Sequence, residues 1–283
     1  MEYDQPTLDR LHRVELSILK DLDETCRRHN IPFFLVYGSA LGAVRHKGFI
    51  PWDDDVDVAM MREDFERFCE IIDRELGERY ELLTPERDKR YTGLVTHFQL
   101  RGTRFVPYDT RELTCTLGIP VDIFVFDNVA DDPKARKKQI RNAWFWGHML
   151  YLYGIAHPEL PLTGFWKKLS EVICVMIHGA LHLFHVSPRY LFRKYKSYAQ
   201  KFKGRKTECV TFFEVTGAEK CIIRRDDIFP LQTVEFEGME LKAPRKNHEY
   251  LTQLYGDYMQ IPPAEKRKNH FPYILDFGSE ENR

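Results

Sequence analysis

Apolar positions recur at helical spacing through residues 7–30, with Leu8, Leu11, Val14, Ile18, Leu19 and Leu22 set among charges. This predicts an amphipathic helix stopped by Asn30-Ile31-Pro32. The pattern then changes period. Phe33-Phe34-Leu35-Val36-Tyr37 is aromatic and branched, predicting a strand that ends at Gly38-Ser39. Ala40 to Arg45 predicts a short helix with N-terminal amides facing an anion, and His46 to Trp52 a loop. Asp55-Val56-Asp57-Val58-Ala59-Met60 alternates acid and apolar, the mark of a strand with one wet face. Arg62-Glu63-Asp64-Phe65 opens a helix to about Leu76. Tyr91 to Arg104 predicts one or two strands, and Ile119 to Asp127 another with Asp122 embedded in it. From Asp131-Asp132-Pro133 the chain reads as helical to about residue 203. Strands and turns follow over 207–243. A short helix stops at Gly256, and the tail from Ile261-Pro262-Pro263 reads as loop.

The mixture predicts an α/β (α+β) fold: a strand-rich part carrying the acids over 1–134, a helical insertion over 135–205, and strands, a short helix and a tail over 206–283 completing the fold. With 283 residues, 43% hydrophobic and 30% charged, the chain can bury a sizeable core, which excludes a disordered chain. Lys+Arg 42 against Asp+Glu 43 leaves no footprint for bulk nucleic-acid binding. Six scattered cysteines without a C-x-x-C pair predict reduced thiols. The start, Met1-Glu2-Tyr3-Asp4, has no apolar run, so a cytoplasmic location is expected. The most apolar stretch, residues 172–186, falls short of the roughly 20 residues that span a bilayer. It reads either as a buried helix or as a helix on a membrane surface, since Lys167, Lys168, Arg189, Arg193 and Lys194 flank it.

Candidate chemistry concentrates in Pro51-Trp52-Asp53-Asp54-Asp55-Val56-Asp57. Carboxylates this close repel one another, and folding them together is costly unless a cation neutralises them. On a strand Asp53, Asp55 and Asp57 share one face, while Asp54 faces away or sits in the preceding turn. If the strand holding Asp122 is a neighbour, its carboxylate joins them. All-oxygen ligands suit Mg²⁺ or Mn²⁺. A solvated turn is the plainer reading of an acid run, but such a run does not normally continue as Asp-Val-Asp-Val. A calcium loop fails because Val58 stands where its glycine belongs.

The block from Tyr37-Gly38-Ser39 through His46-Lys47-Gly48-Phe49-Ile50-Pro51-Trp52-Asp53-Asp54-Asp55-Val56-Asp57 resembles the signature of LicD-type phosphocholine transferases, which fukutin-related proteins share. Val121-Asp122-Ile123-Phe124 and the run from Tyr250-Leu251 through Gly256-Asp257-Tyr258, Pro262-Pro263 and His270 look like the family too. The resemblance implies a nucleotidyltransferase-like mixed sheet flanked by helices. It implies phosphocholine transfer from CDP-choline to a hydroxyl of a cell-surface glycan or its lipid-linked precursor. Another CDP-alcohol or nucleotide-sugar phosphate as donor, and a non-catalytic glycan- or nucleotide-binding role, are the alternatives. Asp55 and Asp57 match the family's metal-holding pair and Asp122 the third carboxylate. Asp53 is a further candidate metal ligand. Gly38 and Ser39 match the turn at the donor phosphates. Arg45, Lys47, Trp52 and His270 are candidates for donor binding, with Lys47 foremost because it sits within the block. Trp52, Tyr37, Phe49, Tyr108 and the Trp144, Trp146, Tyr151 group are candidates to hold choline, which aromatic faces bind.

Overall fold

The computed structural model describes residues 3–160, 162–213 and 218–279; Met1, Glu2 and the end of the tail, 280–283, lie outside them. Helix α1 (Gln5–Arg28) is capped by Asp4, whose side chain accepts from the Thr7 amide. It buries Leu8, Leu11, Val14, Ile18, Leu19 and Leu22, each contributing roughly 1.5–3 kcal/mol as an upper estimate. Strand β1 (Phe34–Leu35), helix α2 (Tyr37–Arg45), strand β2 (Asp57–Met61) and helix α3 (Arg62–Leu76) follow. Strands β3 (Tyr80–Leu83), β4 (Thr96–Leu100), β5 (Arg104–Pro107) and β6 (Pro120–Asn128) complete the first half. Three helices come next, α4 (Pro133–Gly154), α5 (Gly164–Leu183) and α6 (Pro188–Ala199). The rest comprises β7 (Cys209–Thr211), β8 (Ile223–Arg224), the one-turn α7 (Arg225–Ile228), β9 (Gln232–Phe236), β10 (Met239–Ala243), α8 (Asn247–Tyr255) and β11 (Pro272–Asp276).

The main sheet runs β1-β2-β6-β4-β3, and β7 with β8 extends it from the far end of β6. It is mixed. Strands β2 and β6 are parallel, while β1–β2, β6–β4 and β4–β3 are antiparallel. Strand β6 is the spine, because three different strands pair with it. Its apolar run, Ile123 to Phe126, is buried, as a strand covered on both faces requires. The parallel crossover from β2 passes through α3, which a bidentate pair holds to the end of β6: Arg62 donates to both Asp127 carboxylate oxygens at 2.9 and 2.7 Å. Two ribbons flank the sheet, β9–β10 and β5–β11.

Several expectations are corrected. The acid run is not all strand. Only Asp57 lies in β2, and Asp53 to Val56 approach it as irregular chain. The Gly-Ser pair does not precede its helix but lies in the first turn of α2, because Val36 already serves as the N-cap. The long helical region is three helices, broken before Gly164 and at Ser187-Pro188, where proline lacks an amide to continue the ladder. Helix α5 has no buried residue, which overturns the buried-helix reading. The tail is not all loop, since β11 pairs with β5. All six cysteines are free thiols.

Helix α2 packs so closely on the loop after it that a Cβ on Gly42 would lie 2.3 Å from the Gly48 carbonyl oxygen. Gly42→Ala is therefore expected to lower stability by about 1–3 kcal/mol in urea or thermal unfolding. Gly179→Ala is the control. Nothing lies within 4 Å of that Cβ, and alanine's better helix propensity leaves stability unchanged or raises it by up to about 1 kcal/mol.

Candidate active site

The site begins with register. In the parallel β2–β6 pair Asp57 stands directly opposite Asp122. On the other side of β6, Asp122 stands opposite His97 of β4. The His97 Nδ1 lies 2.5 Å from the Asp122 carboxylate, an ion pair whenever the imidazole is protonated. Two acids from sequence positions far apart thus share one end of adjacent strands. Asp53 and Asp55 join Asp57 on the wall of a cleft of about 520 Å³, alongside Gly38, Arg45, Trp52 and His270. That volume suits a nucleotide-sized ligand.

Asp54 points the other way and serves the frame. It is fully buried, accepts from the Tyr3 hydroxyl at 2.7 Å and from the His270 amide at 2.7 Å. One carboxylate thus ties both ends of the described chain to the acid loop. The His270 imidazole lies 3.2 Å from Asp55 and 3.5 Å from the same Asp54. Its hydrogen bonds with Asp54 and Asp55 push its pKa up to about 12, so it is an imidazolium at neutral pH. His12 stacks on Phe49 and meets the Asp53 carbonyl at 2.8 Å, supporting the loop from the α1 side.

Electrostatics mark the cluster as starved of positive charge. Burial first, then Asp55 and Asp122, push the Asp57 carboxyl well above the usual range. Burial, then Asp55 and Asp54, do the same to Asp53. Behind them lies a group that periodicity hid. Glu15 of α1 is fully buried, and neither of its carboxyl oxygens has a hydrogen-bond partner among the described residues. Its pKa is raised well above normal, by burial and then by Asp55, Asp54, Asp53 and Asp122. It occupies a core position of the helical stripe, so a glutamate there is the one sequence signal that could have exposed it.

Helix α2 supplies the next wall. Its Tyr37 amide donates to the Tyr250 hydroxyl at 3.2 Å. The Ser39 hydroxyl oxygen accepts from the Asp57 amide at 2.8 Å, locking α2 to the start of β2. A Cβ on Gly38 would lie 2.6 Å from the Asp53 carboxylate, so glycine admits that acid to the helix terminus, where the dipole favours negative charge. Arg45 reaches the cleft and donates to the Tyr258 carbonyl at 2.7 Å.

The tail adds Lys266, Arg267 and Lys268 to the lining. The Arg267 guanidinium sits 4.3 Å over the Trp52 ring, so that aromatic face already accepts a cation. The basic triplet was visible in the sequence, but nothing local aimed it at the acids. Lys47 is not brought to the cleft. Its backbone is left-handed, and its side chain turns to the β9–β10 ribbon to meet Glu235 at 3.1 Å. Of the aromatic candidates Tyr37 and Trp52 line the cleft, with Tyr255 and Tyr258 besides. Phe49 is core, Tyr108 packs on Tyr273, and Trp144 and Trp146 belong to α4.

The donor set fits a hard divalent ion in kind. It is all carboxylate, crowded and buried, and His270 is the cation whose charge lowers the pKa of Asp53 and Asp57. Among the described residues no three His, Cys, Asp or Glu side chains stand in a ready metal-binding group. The fit is therefore one of charge and ligand type.

A mixed sheet presenting acids from two parallel neighbours, beside a glycine-serine helix start, defines a nucleotidyltransferase-type protein. The family model described as LicD/FKTN/FKRP, nucleotidyltransferase domain, matches residues 30–149. The lipopolysaccharide cholinephosphotransferase LicD of Haemophilus influenzae is 30% identical over 277 residues, covering 95% of this chain and 98% of that protein. An uncharacterised protein of Rickettsia typhi is 42% identical over 65 residues, 22% of this chain and 21% of its own. The chain belongs to the LicD family, a family of phosphotransferase enzymes.

The buried Glu15 gives a pH test. A carboxyl with a raised native pKa binds more protons folded than unfolded, so stability falls as pH rises from about 4.5 toward the native value. In chelator-treated protein, melting temperature is expected to fall between about pH 5 and pH 8. Glu15→Gln, which removes the titration, should melt at or above wild type at pH 8 and show a shallower fall. An unchanged slope would show that Glu15 is not held neutral.

Proposed function

We propose that the protein transfers phosphocholine from CDP-choline to a hydroxyl of a cell-surface glycan or its lipid-linked precursor. The observation that carries this reading is that one cleft gathers the acids Asp53, Asp55 and Asp57, the last in register with Asp122, and the bases Arg45, Lys266, Arg267 and Lys268. Acids alone would repel a diphosphate, and bases alone would bind any polyanion. A cleft lined by both suits a diphosphate that arrives with a divalent cation. The H. influenzae relative is named for cholinephosphate transfer to lipopolysaccharide, which favours choline over other alcohols.

In the proposed reaction the acceptor oxygen bonds to the choline-bearing phosphorus. The bond from that phosphorus to the CMP oxygen breaks, and CMP leaves as a phosphate monoester. The hydroxyl proton passes to a carboxylate. Asp122 is suited to take it, because the His97 ring bonded to it holds its orientation. Asp55 and Asp57, with Asp53 or Asp122, would hold Mg²⁺ or Mn²⁺. When bound, the ion supplies positive charge to the diphosphate oxygens and the departing CMP. Arg45, Lys266, Arg267 and Lys268 bind and orient the donor phosphates. The first-turn amides of α2 add dipolar support. The quaternary ammonium of choline would meet the ring of Tyr255, which lines the cleft, since the Trp52 face already carries Arg267.

The test is CMP release from CDP-choline with Mg²⁺ and a lipopolysaccharide or glycolipid acceptor. Wild type should release CMP, and Asp57→Asn should lose about 100-fold or more of that rate while staying folded by circular dichroism. CDP-ribitol and CDP-glycerol, run in parallel, should release less. Absence of release from CDP-choline beside release from another CDP-alcohol would move the donor. Full activity in Asp57→Asn would remove the acid cluster from the chemistry.

A further inference from the structure

Helix α5 carries an apolar stripe that stays largely exposed among the described residues. Phe165, Leu169, Val172, Ile173, Met176 and Leu183 recur at spacings of three, four and seven and lie along one side of the helix. Phe165 is 72% exposed, its neighbour Trp166 66%, Leu183 72% and Phe184 75%. Soluble surfaces seldom present so continuous an apolar strip without a partner. The other side of the helix is fastened down. His178 and His182 meet the Leu152 and Tyr153 carbonyls at 2.9 and 3.0 Å, at the C-terminal end of α4 where carbonyls lack helical partners.

Charge identifies what the strip faces. Residues 133–206 hold 15 of the chain's 42 Lys and Arg but only 2 of its 43 Asp and Glu. The helical part is thus strongly basic and the remainder acidic, although the whole is nearly neutral. Lys167 and Lys168 stand on α5 itself, and Arg189, Arg193 and Lys194 on α6. A second copy of the chain would bring the same basic surface against this one, so like charges oppose that pairing. An anionic lipid surface matches both features, apolar rings for the acyl boundary and ammonium and guanidinium groups for the headgroups.

Among the described residues only α5 and α6 together reach the length and apolar character of a span, and they are sharply bent at the break between them. No single helix among the described residues is long and apolar enough to span a membrane. Helix α6 leaves α5 at a bend of 111°, and its Leu191, Tyr195 and Ala199 are buried against the body. We propose that α5, with the basic residues beside it, is an interfacial helix that docks the protein on anionic lipid. This rests on the surface alone and not on the reading of the cleft.

The full chain is to be sedimented with vesicles of phosphatidylcholine alone or mixed with phosphatidylglycerol. Binding to the mixed vesicles should be at least about tenfold tighter. The triple variant Phe165→Ser, Trp166→Ser, Met176→Ser and the charge variant Lys167→Glu, Lys168→Glu, Arg193→Glu should each lose it. Because these side chains are largely exposed, both variants should melt as wild type does. Lipids brominated in the acyl chain provide a measurement that needs no disruptive change: they should quench wild-type fluorescence more than that of Trp166→Phe. Equal binding to both vesicle types, binding unaltered in the variants, or quenching indifferent to Trp166 would overturn the proposal. So would a wild-type dimer that the triple variant converts to a monomer, since the strip would then belong to a second copy.

Discussion

Mutual repulsion among carboxylates at the head of the β2–β6 pair is the constraint around which this protein is arranged. Asp57 and Asp122 are register partners, Asp53 and Asp55 lean in from the preceding loop, and Glu15 closes the rear from α1. An array like this is unfavourable to fold, so the surrounding structure holds it in place. The backbone amide of Asp57 is held by Ser39, Asp54 is satisfied by Tyr3 and the His270 amide, and Asp122 by His97. Burial and the neighbouring carboxylates push the pKa of Asp53 and Asp57 well above the usual range. Carboxylates held this close to one another attract cations.

The chain returns to this point from several distances. Helix α1 brings Glu15 and His12, α2 brings the glycine and serine, β4 brings His97, and the tail brings the basic triplet and His270. The β5–β11 ribbon is what delivers the tail, since pairing at Pro272–Asp276 fixes the direction from which His270 approaches. Asp57 and Asp122 stand on the sheet, Asp53 and Asp55 on the irregular chain before β2, and Lys266, Arg267 and Lys268 on a segment with little regular structure.

The helical part obeys a different economy. Helices α4 and α6 bind to one another through a small second core around Ile140, Ala143, Tyr195 and Ala199, with α5 outside it. The acidic sheet half and the basic helical half place opposite charges on separate surfaces of a molecule whose net charge is -1.

Local patterning determined what near neighbours decide. The helical period of α1 and α3, the apolar run of β6 and the short helix before Gly256 all follow from which face a residue must bury. The signature block from Gly38 to Asp57 was equally legible, because its spacing is short and its residues unusual. Only tertiary structure decided the rest. That Asp122 pairs with Asp57, that His97 meets Asp122, that the tail forms a strand and turns its cations over Trp52, and that Lys47 leaves the cleft for Glu235 all depend on long-range pairing. The exposure of α5 was undecidable for the same reason. An apolar helix reads alike whether a protein core or a lipid surface covers it, and only the assembled fold shows that no core does.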